Sequence, residues 1–162
     1  MAELTTLEEK LAEVTGLAMA AQGATDKVSG LVQDSELKQT LKRMNTEAKE
    51  TEKRCTQLAD ELDGKKTAVL VKARETKQEA TEMMKTYLGS DAEGLDGFEF
   101  LTMAEAGEVG HWEVLGVLGQ RAGKSDVQEL VEWAVPIQQR HFAEAREGCL
   151  RLAADENPNE TS

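Results

Sequence analysis

Four polar residues occupy positions where helical periodicity would otherwise place apolar side chains. Glu105 and Glu108 lie on the apolar stripe of the segment Phe98–Ala122, whose hydrophobic residues recur with helical spacing. Gln138 and His141 lie at the centre of the equivalent stripe in the next amphipathic segment. Charged side chains are rarely buried unless they are paired or bind a metal ion. The pattern therefore predicts that two neighbouring helices direct two carboxyl groups, an amide and an imidazole into the interior.

Two kinds of chemistry suit such a cluster. One is a site for a single divalent metal ion, iron, manganese or zinc, held by Glu105, Glu108 and His141, with Gln138 as a weak neutral ligand. The other is a hydrogen-bonded network in a non-catalytic structural or interaction protein, with His141 as an imidazolium between the carboxylates. A di-iron centre needs about four carboxylates and two imidazoles. This sequence does not direct so many inward, so ferroxidase activity is disfavoured and no catalytic residue is predicted.

The charge and the cysteines narrow the choice of partners and compartment. The chain has 31 acidic and 19 basic residues and a net charge of -12. Nucleic acids and anionic membranes attract cationic surfaces, so neither is expected as a partner. No signal peptide and no apolar run of about eighteen residues is visible. Neither Cys55 nor Cys149 has a second cysteine or a histidine at metal-ligand spacing. We interpret both as reduced thiols that pack between helices, so we expect a cytoplasmic protein.

The rest of the chain predicts long helices in a single domain. Aromatic residues make up only 4% of the 162 residues, and there are two prolines, a composition typical of helical proteins. Four segments have heptad-like apolar spacing, and a weaker one suggests a crossover between two helical hairpins. The predicted domain spans residues 1–154, followed by a polar tail at 155–162. The five segments are 7–32, 37–62, 65–88, 98–122 and 127–152.

Local signals locate the ends of the last two core helices. The glycine-containing run Gly94–Gly97 is predicted to break the chain before the third core helix. Ser125 and Asp126 are the expected caps of the fourth. Pro136 removes one backbone hydrogen bond shortly before Gln138, which predicts a kink beside the polar cluster.

The apolar stripes of the first two core helices are small in the middle. Ala18 and Ala21 occupy this part of the first helix, and Ala48 and Thr51 occupy it in the second. Small residues allow two helices to approach closely, but they also line cavities. A cavity opposite the glutamates would hold a small ligand, so a ligand-binding bundle is a third interpretation.

Three short runs of sequence are similar to those of ferritin-like proteins, most closely the stress-associated YciF type. They are Ser35–Lys38, Leu62–Lys66 and Glu105–Glu108, the last followed by Gln120–Gly123. The resemblance covers most of the chain. It implies an all-α, antiparallel four-helix bundle with a long, partly helical crossover between the second and third core helices. It also implies a homodimer and a role connected with stress.

The resemblance also implies how much of the family's metal site is present. Ferritin-like di-iron proteins take one glutamate from each of two helices and a Glu-x-x-His motif from each of the other two. Glu105 and Glu108 match the paired glutamates, whereas Gln138 and His141 form Gln-x-x-His. The first helix has Ala18 in place of a glutamate. The implied site is therefore degenerate and binds at most one divalent metal ion.

Two nearby motifs are expected to lie outside the cluster. In the second core helix Glu47 and Glu50 flank Ala48, and the heptad position predicts that Ala48 faces inward instead of either glutamate. His111 completes a literal Glu-x-x-His with Glu108, but it lies beside the apolar stripe. We therefore expect His111 at a helix interface or on the surface.

Overall fold

The protein is built from five long helices. The computed structural model describes residues 1–161. All regular secondary structure in that range is helical, which confirms the all-α prediction. The crossover segment is itself a regular helix of 22 residues. The helices are α1 (Thr6–Ser29), α2 (Ser35–Asp60), α3 (Lys66–Tyr87), α4 (Gly94–Ala122) and α5 (Ser125–Ala154).

Side-chain caps fix the start of the first two helices. The Thr5 hydroxyl accepts a hydrogen bond from the Glu8 N–H at 3.2 Å, and the Glu8 carboxylate accepts one from the Thr5 N–H at 2.7 Å. This reciprocal pair satisfies two backbone donors that have no partner within the helix. At α2, Asp34 Oδ1 accepts from the N–H groups of Glu36 and Leu37 at 2.9 and 3.1 Å. Each such cap contributes about 1 kcal/mol.

The predicted break at Gly94–Gly97 is wrong, because these residues form the first turn of α4. The Glu93 N–H donates to Asp96 Oδ2 at 2.8 Å, which starts the helix ahead of the glycines. The glycines serve packing instead. A Cβ built on Gly97 would lie 2.9 Å from Val28 Cγ1, so only a residue without a side chain lets α4 approach α1 this closely.

The connection between α4 and α5 also differs in detail from the prediction. Gly123 adopts a left-handed conformation with φ of 65°, and α5 begins at Ser125 with Lys124 at the cap position. Ser125 and Asp126 are therefore first-turn residues, and neither is the cap. α5 continues without a break through Pro136 to Ala154. The turn of two residues leaves α4 and α5 antiparallel.

The helices form two hairpins that pack side by side. α1 contacts α2 and α4 contacts α5 within the hairpins, while α1 also contacts α4 and α2 contacts α5 between them. α3 packs mainly along α1 and makes much less contact with α4. The core is divided along the length of the bundle. One apolar cluster is centred on Phe98 and Leu101, and another on Trp112 and Leu115. Between these clusters α4 carries its polar residues.

Candidate functional site

The four predicted residues lie together in the interior between the two apolar clusters. The exposed fractions of Glu105, Glu108, Gln138 and His141 are 1%, 4%, 1% and 2%. The Gln138 amide, oriented with its nitrogen toward α4, donates to Glu105 Oε2 at 2.9 Å and to Glu108 Oε2 at 3.1 Å. His141 Nδ1 lies 3.8 Å from Glu105 Oε2. One amide thus joins both carboxyl groups of α4 to α5.

A fifth residue, Glu47 of α2, reaches the same cluster. Its Oε1 lies 3.2 Å from His141 Nε2, and its carboxylate also pairs with Arg140. Ala48 is buried as predicted, but the expectation that Glu47 points away is wrong. The residue lies on the flank of the helix, from which its long side chain extends toward α5. Glu47, Glu105, Glu108, Gln138 and His141 are called the buried cluster below.

α1 contributes no charged side chain to the buried cluster. Ala18 is fully buried at the position where the family resemblance implies a glutamate. Gln22, one turn later, donates to the Ala18 carbonyl at 3.3 Å and to the Glu52 carboxylate. His111 is likewise outside the cluster, as expected. Its side chain is half exposed, with Nδ1 3.4 Å from Glu13 Oε2.

Burial sets the protonation states of the cluster. Burial raises the pKa of Glu105 to about 8. Burial and the nearby Glu105 raise the pKa of Glu108 well above its usual value. Burial lowers the pKa of His141, although its hydrogen bond with Glu47 acts in the opposite direction. Near neutral pH the α4 carboxyl groups are therefore protonated and the imidazole is neutral, so the predicted imidazolium between two carboxylates is not the favoured state.

The anionic member of the cluster is Glu47. Burial alone would raise the pKa of Glu47, but hydrogen bonds from Arg140 and His141 outweigh burial, and the pKa is lowered. Arg43 adds a second cationic neighbour beside Arg140, with its Nε 3.6 Å from Glu47 Oε1. The charge of Glu47 is thus balanced at the partly exposed edge of the cluster, where two arginines are accessible to water.

The side chains of the buried cluster are joined by hydrogen bonds and are not arranged around a metal ion. Across residues 1–161, no group of three or more His, Cys, Asp or Glu side chains is arranged to hold one. The Gln138 amide donates to the same carboxyl oxygens that a metal ion would need. Glu47 engages Nε2 of His141. The cluster has the geometry of a hydrogen-bonded network that joins α2, α4 and α5.

A cavity of about 420 Å³ opens on the opposite side of Glu105 and Glu108, between α1, α3 and α4. The cavity exists because α3 packs along α1 and leaves a gap between itself and α4. Its apolar walls come from small residues of α1 and from larger, flexible ones of α3 and α4. We call it the α3/α4 groove. Its apolar wall includes Ala21, Ala24, Met83, Met84, Phe100 and Ala104.

The groove is open to solvent and polar at one end. Met83 and Met103 line it and remain 53% and 40% exposed, so the mouth is accessible to a molecule from solution. At the polar end the carboxylate of Glu13 lies between the side chains of a lysine and a histidine. Its Oε2 is 2.9 Å from Lys10 Nζ and 3.4 Å from His111 Nδ1. The groove therefore runs from an apolar end to a charged end, with two acid groups between.

The sequence left two uses open for the small residues of the first two core helices, close helix packing or a cavity opposite the glutamates, and the structure shows mainly the first. Among the four small residues, only Ala21 lines the groove. Ala18, Ala48 and Thr51 are buried against neighbouring helices, so they serve close packing. The cavity lies between α1, α3 and α4, and the weak apolar pattern of α3 gave no signal for its position.

Comparison of the chain with protein-family models, curated proteins and solved structures finds no match. Among the described residues, no helix has the length and apolar character that crossing a membrane requires. Both cysteines are free, as predicted, with Cys55 buried and Cys149 partly buried.

Proposed function

We propose that this protein binds a small, largely apolar molecule in the α3/α4 groove. The groove carries the proposal: its volume of about 420 Å³ is within the usual range for small-molecule sites, roughly 300–1,000 Å³. Apolar walls, a solvent-accessible mouth and a few convergent polar groups are the general features of such sites. A bound apolar molecule would remove the groove wall from water, and that transfer is favourable.

The buried cluster supports this function from behind the groove. Glu105 and Glu108 line the groove and are held from the other side by Gln138. A side chain that is held by a hydrogen bond on the side away from the ligand presents its remaining polar atoms to the ligand in a defined direction. The hydrogen-bonded network that the sequence suggested for a structural protein thus has a second use here, because it orients polar groups toward a ligand.

Filling the groove with a tryptophan side chain should weaken ligand binding strongly. Gly107 lines the groove, and a Cβ built there has no atom within 4 Å. We expect Gly107→Trp to weaken binding of Nile red, a neutral apolar dye, by at least about tenfold, since the indole would occupy ligand volume. A fluorescence titration of the dye measures the change.

Gly110 of the same helix provides the matched control. A Cβ built on Gly110 also meets nothing within 4 Å, but the residue does not line the groove. Gly110→Trp adds the same exposed aromatic surface and should leave the dye affinity unchanged. Equal dye affinity in wild type and Gly107→Trp, or equal losses in both variants, would refute the proposed site.

For the fold, we propose a ferritin-like arrangement of the four core helices, α1, α2, α4 and α5. The support is the pattern of neighbours, in which each hairpin helix also contacts one helix of the other hairpin. Such side-by-side packing of two hairpins is usual in four-helix bundles with a long crossover. α3 then corresponds to the crossover and adds the third wall of the groove. The homodimer and the stress-connected role implied by the resemblance stay predictions.

The single-metal site of Glu105, Glu108, His141 and Gln138 is a separate hypothesis. Glu47 favours it, because α2 supplies a carboxylate beside His141. The Gln138 amide opposes it, since that amide would have to turn away from both carboxyl groups. Metal analysis of protein purified without chelator should give about one equivalent if the site binds iron, manganese or zinc. Less than about a tenth of an equivalent would eliminate it.

A further inference from the structure

The acidic and basic groups that line the α3/α4 groove are unevenly paired. Across residues 1–161, neither Glu105 nor Glu108 has a lysine or arginine nitrogen within 4.0 Å. The basic side chains that line the groove do have carboxylate partners. Lys10 and His111 pair with Glu13, and Lys72 lies 3.8 Å from Glu75. The groove therefore has two buried acid groups without a basic partner, whereas its basic side chains are already paired with carboxylates.

We propose that the ligand is an organic cation, an ammonium group on an apolar chain, bound with the ammonium at Glu105 and Glu108 and the chain between α3 and α4. This inference rests on the proposed function of the groove. The complementarity is chemical: an ammonium donates hydrogen bonds that the carboxyl oxygens of Glu105 and Glu108 accept, and its positive charge favours the ionised form of these otherwise protonated groups. The net charge of -12 also favours the approach of a cation over that of an anion.

The apolar end of the groove accounts for the rest of the ligand. Met83 and Met84 of α3 face Phe100 and Ala104 of α4 across the groove. Methionine side chains are flexible and polarisable, so they pack around chains of different shape. A bare metal ion would leave these walls in contact with water. An alkyl chain would cover them, which favours an organic cation over an inorganic one.

Matched alkyl compounds test the charge of the ligand. Decylamine and decan-1-ol have the same chain, and at pH 8.5 an alkylammonium, with a pKa of about 10.4, remains charged. In wild-type protein we expect decylamine to displace Nile red at about one tenth of the decanol concentration, because charge-assisted hydrogen bonds are stronger than neutral ones. Decanoate, with the opposite charge, should displace the dye more weakly than decanol.

Two isosteric variants locate the recognition. Glu108→Gln and Glu105→Gln should each bring the displacing concentrations of decylamine and decanol to near equality. Glu113→Gln removes the same charge from an exposed position of α4 and should preserve the tenfold preference. Circular dichroism shows whether each variant is folded. If one of the two glutamine variants does not fold, the other still tests the inference.

The possible outcomes separate this inference from the proposed function. If dye and decanol bind but decylamine has no advantage, or if neither glutamine variant reduces its advantage, the organic-cation inference is overturned and the apolar site stands. If Nile red does not bind, or binds Gly107→Trp as well as wild type, the proposed function itself fails. A tenfold preference that disappears in the glutamine variants and persists in Glu113→Gln supports both.

Discussion

The free energy of unfolding of this protein should fall as the pH rises from about 6.5 to about 9, and replacing Glu105 and Glu108 by glutamine should remove most of that fall. Burial raises the pKa of Glu105 to about 8 from an ordinary value of 4.5. The folded protein therefore retains a proton that the unfolded chain has already lost in this range. The contribution of this carboxyl group to the free energy of unfolding is fully present below the ordinary pKa. It is lost as the pH rises through the pKa of the folded protein.

The expected magnitude is large. For Glu105 alone, the difference between the two pKa values corresponds to at most about 5 kcal/mol over the whole range from 4.5 to about 8, of which about 2 kcal/mol is lost above pH 6.5. Glu108, whose pKa is also raised, adds to the effect in the same direction. His141 acts oppositely, because its lowered pKa removes stability only as the pH falls below about 6.5. The range above that value therefore isolates the carboxyl groups.

Urea denaturation of wild type, Glu105→Gln, Glu108→Gln and the double variant at several pH values measures this effect. At pH 9 the double variant should be more stable than wild type by several kcal/mol, because glutamine keeps the size of the side chain and cannot ionise. The exposed Glu113→Gln serves as the control for a change in net charge. Parallel pH profiles for wild type and the double variant would show that these carboxyl groups ionise freely in the folded protein.

Gly16→Ala should destabilise the protein by about 1–3 kcal/mol, the usual range for overpacking. A Cβ built on Gly16 would lie 2.3 Å from the Ala73 carbonyl oxygen and 2.7 Å from Thr76 Cβ, so backbone of α1 or α3 must move. A helix interior otherwise favours alanine over glycine by about 1 kcal/mol. The close approach at Gly16 therefore reverses the sign of the substitution.

Gly23 of the same helix gives the matched comparison. It is exposed, and a Cβ built there meets nothing within 4 Å, so Gly23→Ala should stabilise the protein by up to about 1 kcal/mol. Thermal or urea unfolding monitored by circular dichroism compares the two variants. Changes of the same sign would mean that α3 does not pack against α1 at Gly16. Since α3 forms one wall of the groove, Gly16→Ala should also weaken dye binding, whereas Gly23→Ala should not.

Periodicity was sufficient to predict the burial of Glu105, Glu108, Gln138 and His141, because each lies on the apolar stripe of a long helix. A stripe position states which way a side chain leaves the helix. It does not state how far a long side chain extends from the flank. Glu47 was therefore missed as a neighbour of His141, although the flanking Ala48 was correctly placed.

The groove could not be predicted from the sequence, because its position depends on where α3 packs. The apolar pattern of α3 is weak, since only Ala68, Val69 and Ala73 are buried within the helix. It approaches α1 closely at Gly16, a residue with no apolar side chain to signal a contact. Nor did the glycines Gly94 and Gly97 indicate a helix, because glycine lowers helix propensity while permitting close packing.

A crystal structure of the protein soaked with 8-bromooctan-1-ol tests the central claim, ligand binding in the α3/α4 groove, most directly. Bromine scatters anomalously, so its position can be assigned without ambiguity. The account predicts one strong bromine signal between α3 and α4 near Met84 and Phe100, with the hydroxyl group directed toward Glu105 and Glu108. Bromine signals confined to the outer surface of the bundle, with an empty groove, would contradict it.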